Sequence, residues 1–272
     1  FSGTYFSPGA PYFEQQAWGG VLALFVSALY FSRAALRSVW QDIRSGAPSP
    51  DGGWSSRGAA IGLVACGTVV IVFGAHGALP LWTSVAVFVS FMVFSVVLSR
   101  MRAQLGPPTH EFAFFGPTGL LTTLAGGGWM SGRSAVWLGE VFLFMNRIAR
   151  THPAPSQLEG FKLAKETRAS AKTFAWGMAI ALVVGFVLAN AFYVEHAYRH
   201  GSGIGPTDGI TAAQNAMQTA KGPNGAGAAM MAFGALFAFG LDALRLRFPS
   251  LALHPVGYVL GITYGIDYYW FG

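Results

Sequence analysis

Glu140 interrupts an apolar stretch of the chain, and it is the first position at which residue type and context point to chemistry. An acidic residue near the centre of a membrane helix costs about 2.5–3.5 kcal/mol, so its side chain is expected to face protein or water. Arg133 and Arg147 lie seven residues away on either side, which is about 10 Å along a helix and too far for comfortable pairing. Two interpretations stay open: a site for a proton, an ion or a substrate, or a structural ion pair or shallow location.

A glycine-rich segment precedes Glu140. Residues 112–132 carry no formal charge but contain Gly126, Gly127 and Gly128. Irregular backbone at membrane depth is tolerated only where it is buried in protein or lines a cavity, and broken transporter helices bind substrates and ions through unpaired backbone groups. A loop on the surface is the alternative. On the cavity interpretation, we predict a substrate- or ion-binding site formed by Glu140, Arg133, Asn146 and these three glycines.

In this site Glu140 would bind the coupling proton or a substrate amine, and Arg133 would meet an anionic group at the outer mouth. The sequence contains no P-loop, dinucleotide fingerprint, Gly-x-Ser-x-Gly or His-Glu-x-x-His pattern. Cys66 is the single cysteine, which excludes an internal disulfide and a cysteine-based metal site. We therefore predict no enzymatic activity, no cofactor and no metal.

The elements that must position these residues are apolar runs. The composition is 53% hydrophobic and 10% charged, whereas about a quarter of residues are charged in soluble domains. A membrane helix needs roughly 20 apolar residues, and Pro80 divides one long run into a helical hairpin because proline breaks the helical ladder. The candidate spans are residues 17–40, 58–79, 81–99, 112–132, 134–150, 173–194, 222–241 and 248–266.

These spans predict an all-α fold, a polytopic transmembrane helix bundle that forms a single domain over residues 1–272. Six spans are clear, and the pair at 112–132 and 134–150 brings the number to eight. That pair is either two spans, one of them broken, or a re-entrant hairpin followed by a tilted helix. A broken or re-entrant Gly-rich segment is expected in both cases.

Charge supports this topology. With the N-terminus outside, fourteen of the seventeen Lys and Arg residues fall on the inner side, as the positive-inside rule predicts. The net charge of +6 then reflects topology and contact with anionic lipids rather than nucleic acid binding. We expect a multi-pass protein of the bacterial inner membrane whose partners are membrane lipids and a small solute, with a homo-oligomer or a larger membrane complex as a further option.

Three local patterns add expectations about packing. Gly177, Ala181, Gly185 and Ala189 form a small-residue stripe, typical of close helix contacts in lipid, and Gly234 and Ala238 form a shorter one. Asp242 and Arg245 are three residues apart, a spacing that allows them to pair along their helix, and an interfacial anchor is the alternative. His254-Pro255 is expected to begin a helix, since proline is favoured at the first helical position.

Three stretches carry a family resemblance: residues 99–109 (SRMRAQLGPPT), 155–164 (PSQLEGFKLA) and 248–258 (FPSLALHPVGY). They resemble a bacterial family of large, uncharacterised multi-spanning proteins, which is itself distantly similar to the oligopeptide transporter superfamily. The resemblance covers most of residues 90–272, in the order of that family's C-terminal half. It implies that the chain is part of a longer protein.

The leading functional hypothesis is a secondary transporter, or half of one, that moves a peptide-like or other small polar solute with an ion gradient. The alternative is a non-catalytic structural or accessory subunit of a larger membrane complex. Such a complex could carry pigments or redox centres. Small-residue packing stripes and the scarcity of intramembrane polar residues favour this alternative.

Overall fold

The computed structural model describes residues 10–48, 53–106, 116–142, 152–201, 217 and 222–263, without the side chain of Glu140. Every regular element within these ranges is helical, so the all-α prediction is confirmed there. The elements are α1 Phe13–Phe31, α2 Arg33–Ser45, α3 Ser56–His76, α4 Leu81–Leu105, α5 Pro117–Ala125, α6 Gly132–Val136, a π-helical turn Trp137–Val141, α7 Pro153–Glu166, α8 Ala171–His200, α9 Gly225–Arg247 and α10 Pro255–Gly261.

Four helices in the described ranges, α3, α4, α8 and α9, are long and apolar enough to cross a membrane. The pair α1 and α2 makes a fifth candidate if it is counted as one broken span. Six to eight spans are therefore not confirmed. The predicted spans 112–132, 134–150 and 248–266 run partly into residues outside the described ranges.

The predicted span 17–40 is not one straight helix. The chain bends by 67° between α1 and α2, at Ser32. Beyond the bend, α2 carries Arg33, Arg37 and Arg44 beside apolar residues such as Leu36 and Trp40, which is the composition of a helix that lies along a membrane surface rather than one that crosses it. No residue of α2 is buried, as expected for an amphipathic helix at a membrane surface.

Pro80 separates the two helices of the hairpin, as expected. Helix α3 stops at His76, and α4 starts immediately after the proline. His254-Pro255 also begins a helix: the His254 Nδ1 accepts a hydrogen bond of 3.1 Å from the backbone N–H of Val256, and Pro255 is the first residue of α10. The predicted span 248–266 starts too early, since residues 248–254 are not helical. Pro249 lies in this stretch and lacks the backbone N–H that a helix interior needs.

Helix α1 packs most tightly against α9. A Cβ atom at Gly19 would lie 1.9 Å from the carbonyl oxygen of Met231, and one at Gly234 would lie 2.1 Å from the carbonyl oxygen of Gln16. The two helices run parallel, because Gln16 meets Gly234 and, further along, the Ser27 hydroxyl donates to Asp242. Around this contact lies an apolar core that includes Trp18, Leu24, Leu98, Met101, Val256 and Val259.

The stripe on α8 does not make the predicted close contact within the chain. A Cβ atom at Gly177 or Gly185 would have no atom of the described residues within 4 Å, and α8 has no buried residue. The prediction of intramolecular packing by this stripe is wrong for these positions. The shorter stripe on α9 is the one that packs, since Gly234 and Ala238 (1% exposed) face α1 and the core.

Within the Gly-rich segment, the described residues form one short helix followed by a non-helical stretch at 126–131. A broken span or a re-entrant hairpin stays the prediction. Helix α5 has nine residues, too few to span a bilayer. It ends at Gly126, whose φ of +73° is the left-handed region that favours glycine. A Cβ atom there would also lie 2.6 Å from the carbonyl carbon of Gly222, so the break packs directly on the segment that leads into α9.

Cationic helix ends gather at one end of the bundle. The Arg57 Nε donates to the carbonyl oxygen of Ile43 at 3.0 Å, and the Arg102 Nε lies 2.6 Å from the Glu159 carboxylate. Arg100 reaches the last turns of α1 and α9. We call this the basic end; its cationic residues include Arg33, Arg57, Arg100, Arg102, Arg245 and Arg247.

Candidate functional site

The structure separates the residues of the predicted site. Gly126 and Gly127 are buried in the break, and Gly128 is exposed. Arg133 is exposed in α6. The side chain of Glu140 and all of Asn146 lie outside the described structure, so the site at Glu140 stays a prediction.

The backbone of Glu140 belongs to the π-helical turn Trp137–Val141. The Phe142 N–H donates to the Trp137 carbonyl oxygen at 3.0 Å, five residues back, and single π-turns of this kind are frequent at functional sites. A buried polar contact holds the preceding helix in place: the Ser134 hydroxyl donates to the carbonyl oxygen of Ala78 at 2.8 Å.

A set of polar side chains lies at the end of the bundle opposite the basic end. The first turn of α1 carries Glu14, Gln15 and Gln16, and α5, α9 and α10 pack against it. We call the set the polar cluster. Its members are Glu14, Gln15, Gln16, Thr123, Asn224 and Tyr258.

Hydrogen bonds connect three helices within the polar cluster. The Gln15 Nε2 donates to the Thr123 hydroxyl at 3.3 Å, and the Asn224 N–H donates to the Thr123 carbonyl oxygen at 2.9 Å. The Asn224 Oδ1 in turn caps α9 by accepting from the Gly227 N–H at 2.9 Å. The N-terminal ends of α1 and α9 are thereby joined to the broken helix α5.

Gln16 connects α1 to α10. Its Oε1 accepts from the Tyr258 hydroxyl at 3.0 Å, and its Nε2 donates to the Pro11 carbonyl oxygen at 2.6 Å. Gln16 is 8% exposed. Because a buried amide must have its donors and acceptors satisfied, these contacts fix the orientation of its side chain.

The Glu14 carboxyl group lies against the first turn of α5. Its Oε1 occupies the space beside Gly119, since a Cβ atom added to this glycine would be 1.7 Å from it. Glu14 is half-buried, and the surrounding protein partly desolvates its carboxyl group. The glycine is therefore required for the close approach of the carboxylate to the start of the broken helix.

Glu14 belongs to no ion pair within the described ranges, where the pairs are Arg100–Asp242, Arg102–Glu159 and Arg199–Glu195. The positive end of the α5 dipole favours its ionised form, and desolvation favours the neutral form. A carboxyl group held between these opposing effects can exchange a proton or bind a cation or an amine.

Two further polar groups of the described chain are buried without a hydrogen-bond partner: the Thr83 hydroxyl and the Trp129 indole N–H. Trp129 lies in the break after α5, and its ring meets that of Trp82 at 5.1 Å between centroids. Buried polar groups normally have partners. These two groups therefore offer hydrogen-bonding capacity that the described part of the chain does not use.

A cavity of about 830 Å³ opens at the basic end. Its polar walls include Arg100, Asp242, Arg245 and His254. The predicted pairing of Asp242 with Arg245 is not the one observed: Asp242 lies 3.9 Å from the Arg100 Nη2 and accepts a 2.5 Å hydrogen bond from Ser27. Parallel packing of α1, α4 and α9 brings these partners together, and sequence spacing does not reveal it.

His254 lies in the irregular stretch before α10, at the edge of this cavity. Burial lowers the pKa of His254, and the nearby Arg245 lowers it further, whereas Asp242 opposes the shift and Arg100 adds to it. The neutral imidazole is thus favoured. With Nδ1 accepting from the Val256 N–H, its proton resides on Nε2.

Sequence reasoning missed Glu14 because the first span was started at Ala17, after the polar triplet. The signal was available, since three polar residues directly precede an apolar run. Such a triplet usually marks the solvated end of a helix, and nothing in its spacing shows that α5 and α10 cover it.

The fold and the two polar sites define a multi-spanning helical membrane protein with a broken helix in its core. The chain belongs to the family of unknown function DUF6785, whose family model matches residues 2–272. No curated protein and no solved structure matches the chain. The resemblance to an uncharacterised family is thereby confirmed, while the likeness to the oligopeptide transporter superfamily stays a prediction.

Proposed function

We propose that this protein is a secondary transporter, or half of one, that couples the movement of a peptide-like or other small polar solute to a proton or cation. Glu14 is the coupling carboxylate. The observation that carries the proposal is the position of this carboxyl group, desolvated and pressed against the start of a broken helix. The proposed location is the bacterial inner membrane, with the basic end in the cytoplasm.

The energetics support this role. Ionisable residues inside membrane bundles are costly and typically mark ion or substrate pathways. Glu14 precedes Arg33 by nineteen residues, about 28 Å along a helix axis, and the hydrocarbon core is about 30 Å thick. Glu14 therefore lies near the membrane boundary opposite the basic end, where a coupling ion would enter.

The surroundings of Glu14 suit a polar solute. Gln15, Asn224 and Thr123 contribute amide and hydroxyl groups beside the break. Broken helices in transporters use such groups, with their own backbone, to bind solutes. In this proposal Glu140, Arg133 and Asn146 form a further part of the path, with Glu140 as a second carboxylate.

A proton-flux assay tests the proposal. Proteoliposomes loaded with a pH-sensitive dye are exposed to a mixture of di- and tripeptides, and acidification of the lumen is followed. The wild-type protein is expected to acidify the lumen, and Glu14→Gln is expected to abolish the signal because an amide cannot release a proton. Glu195→Gln is the matched control, since Glu195 is an exposed residue that pairs only with its helix neighbour Arg199 among the described residues.

The outcomes separate the two carboxylates. Loss of flux in Glu140→Gln but not in Glu14→Gln would transfer the coupling role to Glu140. Two results would contradict the proposal. One is coupled flux that is the same in Glu14→Gln and wild type. The other is a wild-type protein that shows no flux with peptides or with single amino acids, under either a proton or a sodium gradient.

An accessory subunit of a larger membrane complex, or a homo-oligomer, is the second candidate. It is favoured by α8, a thirty-residue helix with no buried residue. The small-residue face of α8 meets none of the described residues at Gly177 and Gly185. On this alternative, Gly185→Leu would reduce the mass of the native assembly in mild detergent, measured by light scattering. Uptake would be absent from the isolated chain.

A further inference from the structure

The cavity at the basic end is a different site from the polar cluster, and the transport proposal does not use it. Residues from α1, α4, α7 and α9, together with His254, form its walls. Its volume of about 830 Å³ lies within the range of small-molecule sites, about 300–1,000 Å³. The space is large enough for a charged group with part of an apolar chain.

The polar wall carries a net positive charge. Arg100 and Arg245 face one carboxylate, that of Asp242, and this carboxylate is already engaged by Ser27 and Arg100. An anion entering the cavity therefore meets a surplus of positive charge.

Hydrogen-bond donors are also available to an anion. The Arg100 Nη1 donates to the Leu24 carbonyl oxygen at 3.0 Å, and the distance from the Arg100 Nη2 to the Asp242 carboxylate is longer, at 3.9 Å. A guanidinium has five N–H donors in a fixed fork that suits phosphate and carboxylate oxygens. Neutral His254 adds an Nε2–H donor, because its Nδ1 is occupied by the Val256 N–H.

The remaining wall is apolar, and it favours a lipid over a soluble anion. Phe31, Leu158 and Leu246 line the cavity, and all three are more than half exposed, at 51%, 55% and 70%. Leu158 belongs to α7, which also exposes Phe161 and Leu163 on either side of Lys162, a pattern typical of a helix at the headgroup level. A cationic wall beside an apolar mouth at this level matches a lipid with an anionic head.

We propose that this cavity binds the phosphate headgroup of an anionic phospholipid. The phosphate contacts Arg100, Arg245 and His254, and the acyl chains leave along Phe31, Leu158 and Leu246. Basic pockets between membrane helices on the cytoplasmic side are known to recognise anionic headgroups in this way. The lipid would connect α1, α4, α7 and α9 at the basic end.

A binding measurement with the purified full chain tests this site. Phosphatidylglycerol labelled with a fluorophore on its acyl chain is titrated into delipidated protein in a neutral detergent, and fluorescence polarisation is recorded. Saturable binding is expected, with displacement by unlabelled phosphatidylglycerol but not by phosphatidylcholine. Arg245→Gln should weaken the affinity about tenfold, since a lost charged hydrogen bond has an effect of this order.

Arg247→Gln is the matched control. Arg247 lies two residues further along the chain, is exposed and does not line the cavity, so its variant should bind like wild type. Arg245→Gln is preferred to an Arg100 variant because Arg100 also contacts Leu24 and Asp242. The thermal unfolding midpoint without lipid verifies that each variant is folded, and Arg245→Lys, which keeps the charge, should restore most of the affinity.

Three results would overturn the proposal. Equal affinity of wild type and Arg245→Gln would exclude the cavity as the site, and so would equal weakening by Arg247→Gln. The third concerns a free anion: excess inorganic phosphate is added to wild type and Arg245→Gln without lipid. If it raises the unfolding midpoint of wild type alone while phosphatidylglycerol binds both proteins equally, the cavity takes a soluble phosphate and the lipid assignment fails.

Discussion

The Glu14 carboxyl group reaches the backbone of α5 only because residue 119 has no side chain. Its Oε1 fills the volume that a Cβ atom of residue 119 would occupy. At this one position, a single methyl group decides whether a carboxylate lies at the start of the broken helix. The proposed coupling role therefore depends on the pair Glu14 and Gly119, and not on the acidic residue alone.

Gly119→Ala tests this dependence. The new methyl group would lie 1.7 Å from Oε1, and the flexible carboxyl end can move away more easily than backbone can. We expect a loss of coupled flux in the proteoliposome assay with a change in unfolding free energy below about 1 kcal/mol, the low end for overpacking.

Gly132→Ala is the control for that variant, because a Cβ atom there meets nothing within 4 Å. It should leave both flux and stability unchanged. Full coupling in Gly119→Ala would show that contact with α5 is not needed for the function of Glu14.

At the scale of elements, the contact between α1 and α9 holds the bundle together. Backbone meets backbone there, because neither Gly19 nor Gly234 has a side chain to separate the helices. Close approach of this kind gains dispersion contacts that replace the hydrophobic drive available in water. It also aligns the two ends of α1 with their partners, Gln15 with Thr123 of α5 at one end and Ser27 with Asp242 of α9 at the other.

Gly19→Ala should destabilise the protein. Its Cβ atom would lie 1.9 Å from the Met231 carbonyl oxygen and 2.7 Å from the Ala235 nitrogen, and backbone atoms cannot rotate away. Separation of the helices is expected to cost about 1–3 kcal/mol, as for other overpacked cores. The unfolding midpoint in detergent, followed by tryptophan fluorescence, measures the loss.

Gly177→Ala is the comparison on α8, where the new methyl group meets nothing. It should be neutral, or stabilising by about 0.5–1 kcal/mol because alanine is the better helix former. If Gly177→Ala destabilised the chain as much as Gly19→Ala, the exposed face of α8 would have to be packed in the folded protein.

At the scale of the whole molecule, the helices are ordered by charge. Arg57, Arg100 and Arg102 make their contacts at one end of the bundle, and the polar cluster lies at the other. This polarity fits a bundle whose basic end contacts the anionic cytoplasmic leaflet. It separates the proposed ion entry at Glu14 from the proposed lipid site by the length of α1.

Cysteine labelling tests this orientation. Single cysteines replace Tyr198, 87% exposed at the end of α8, and Lys165, exposed on α7, in a Cys66→Ser background. A membrane-impermeant maleimide should label Tyr198→Cys on intact cells, and Lys165→Cys only after permeabilisation. Labelling of both from the same side would contradict the topology.

Several features could be predicted because they depend on residues close in sequence. Proline breaks a helix wherever it occurs in the interior, so Pro80 marked the hairpin and His254-Pro255 marked a helix start. Gly126 marked the break because few other residues adopt its backbone conformation. The bend at Ser32 was missed, although the arginines beyond it carried the signal.

Contacts between residues far apart in the chain were harder to predict from the sequence. The spacing on α9 offered Arg245 as a partner for Asp242, which instead meets Arg100 and Ser27, and Glu14 was left outside the first predicted span. Spacing along a helix cannot tell which of two faces meets another helix. For the same reason, the longest small-residue stripe was expected to pack within the chain, and the shorter one does so.

Composition, helix breakers and the distribution of charge by themselves determined a multi-spanning helical protein, since these features follow from backbone chemistry and from the cost of charge in lipid. Tertiary structure alone decided that Glu14 meets Gly119 and that Arg100, Asp242 and His254 share a cavity. These contacts join helices far apart in the chain. The steric fit of side chains between helices selects them, and local sequence does not encode that fit.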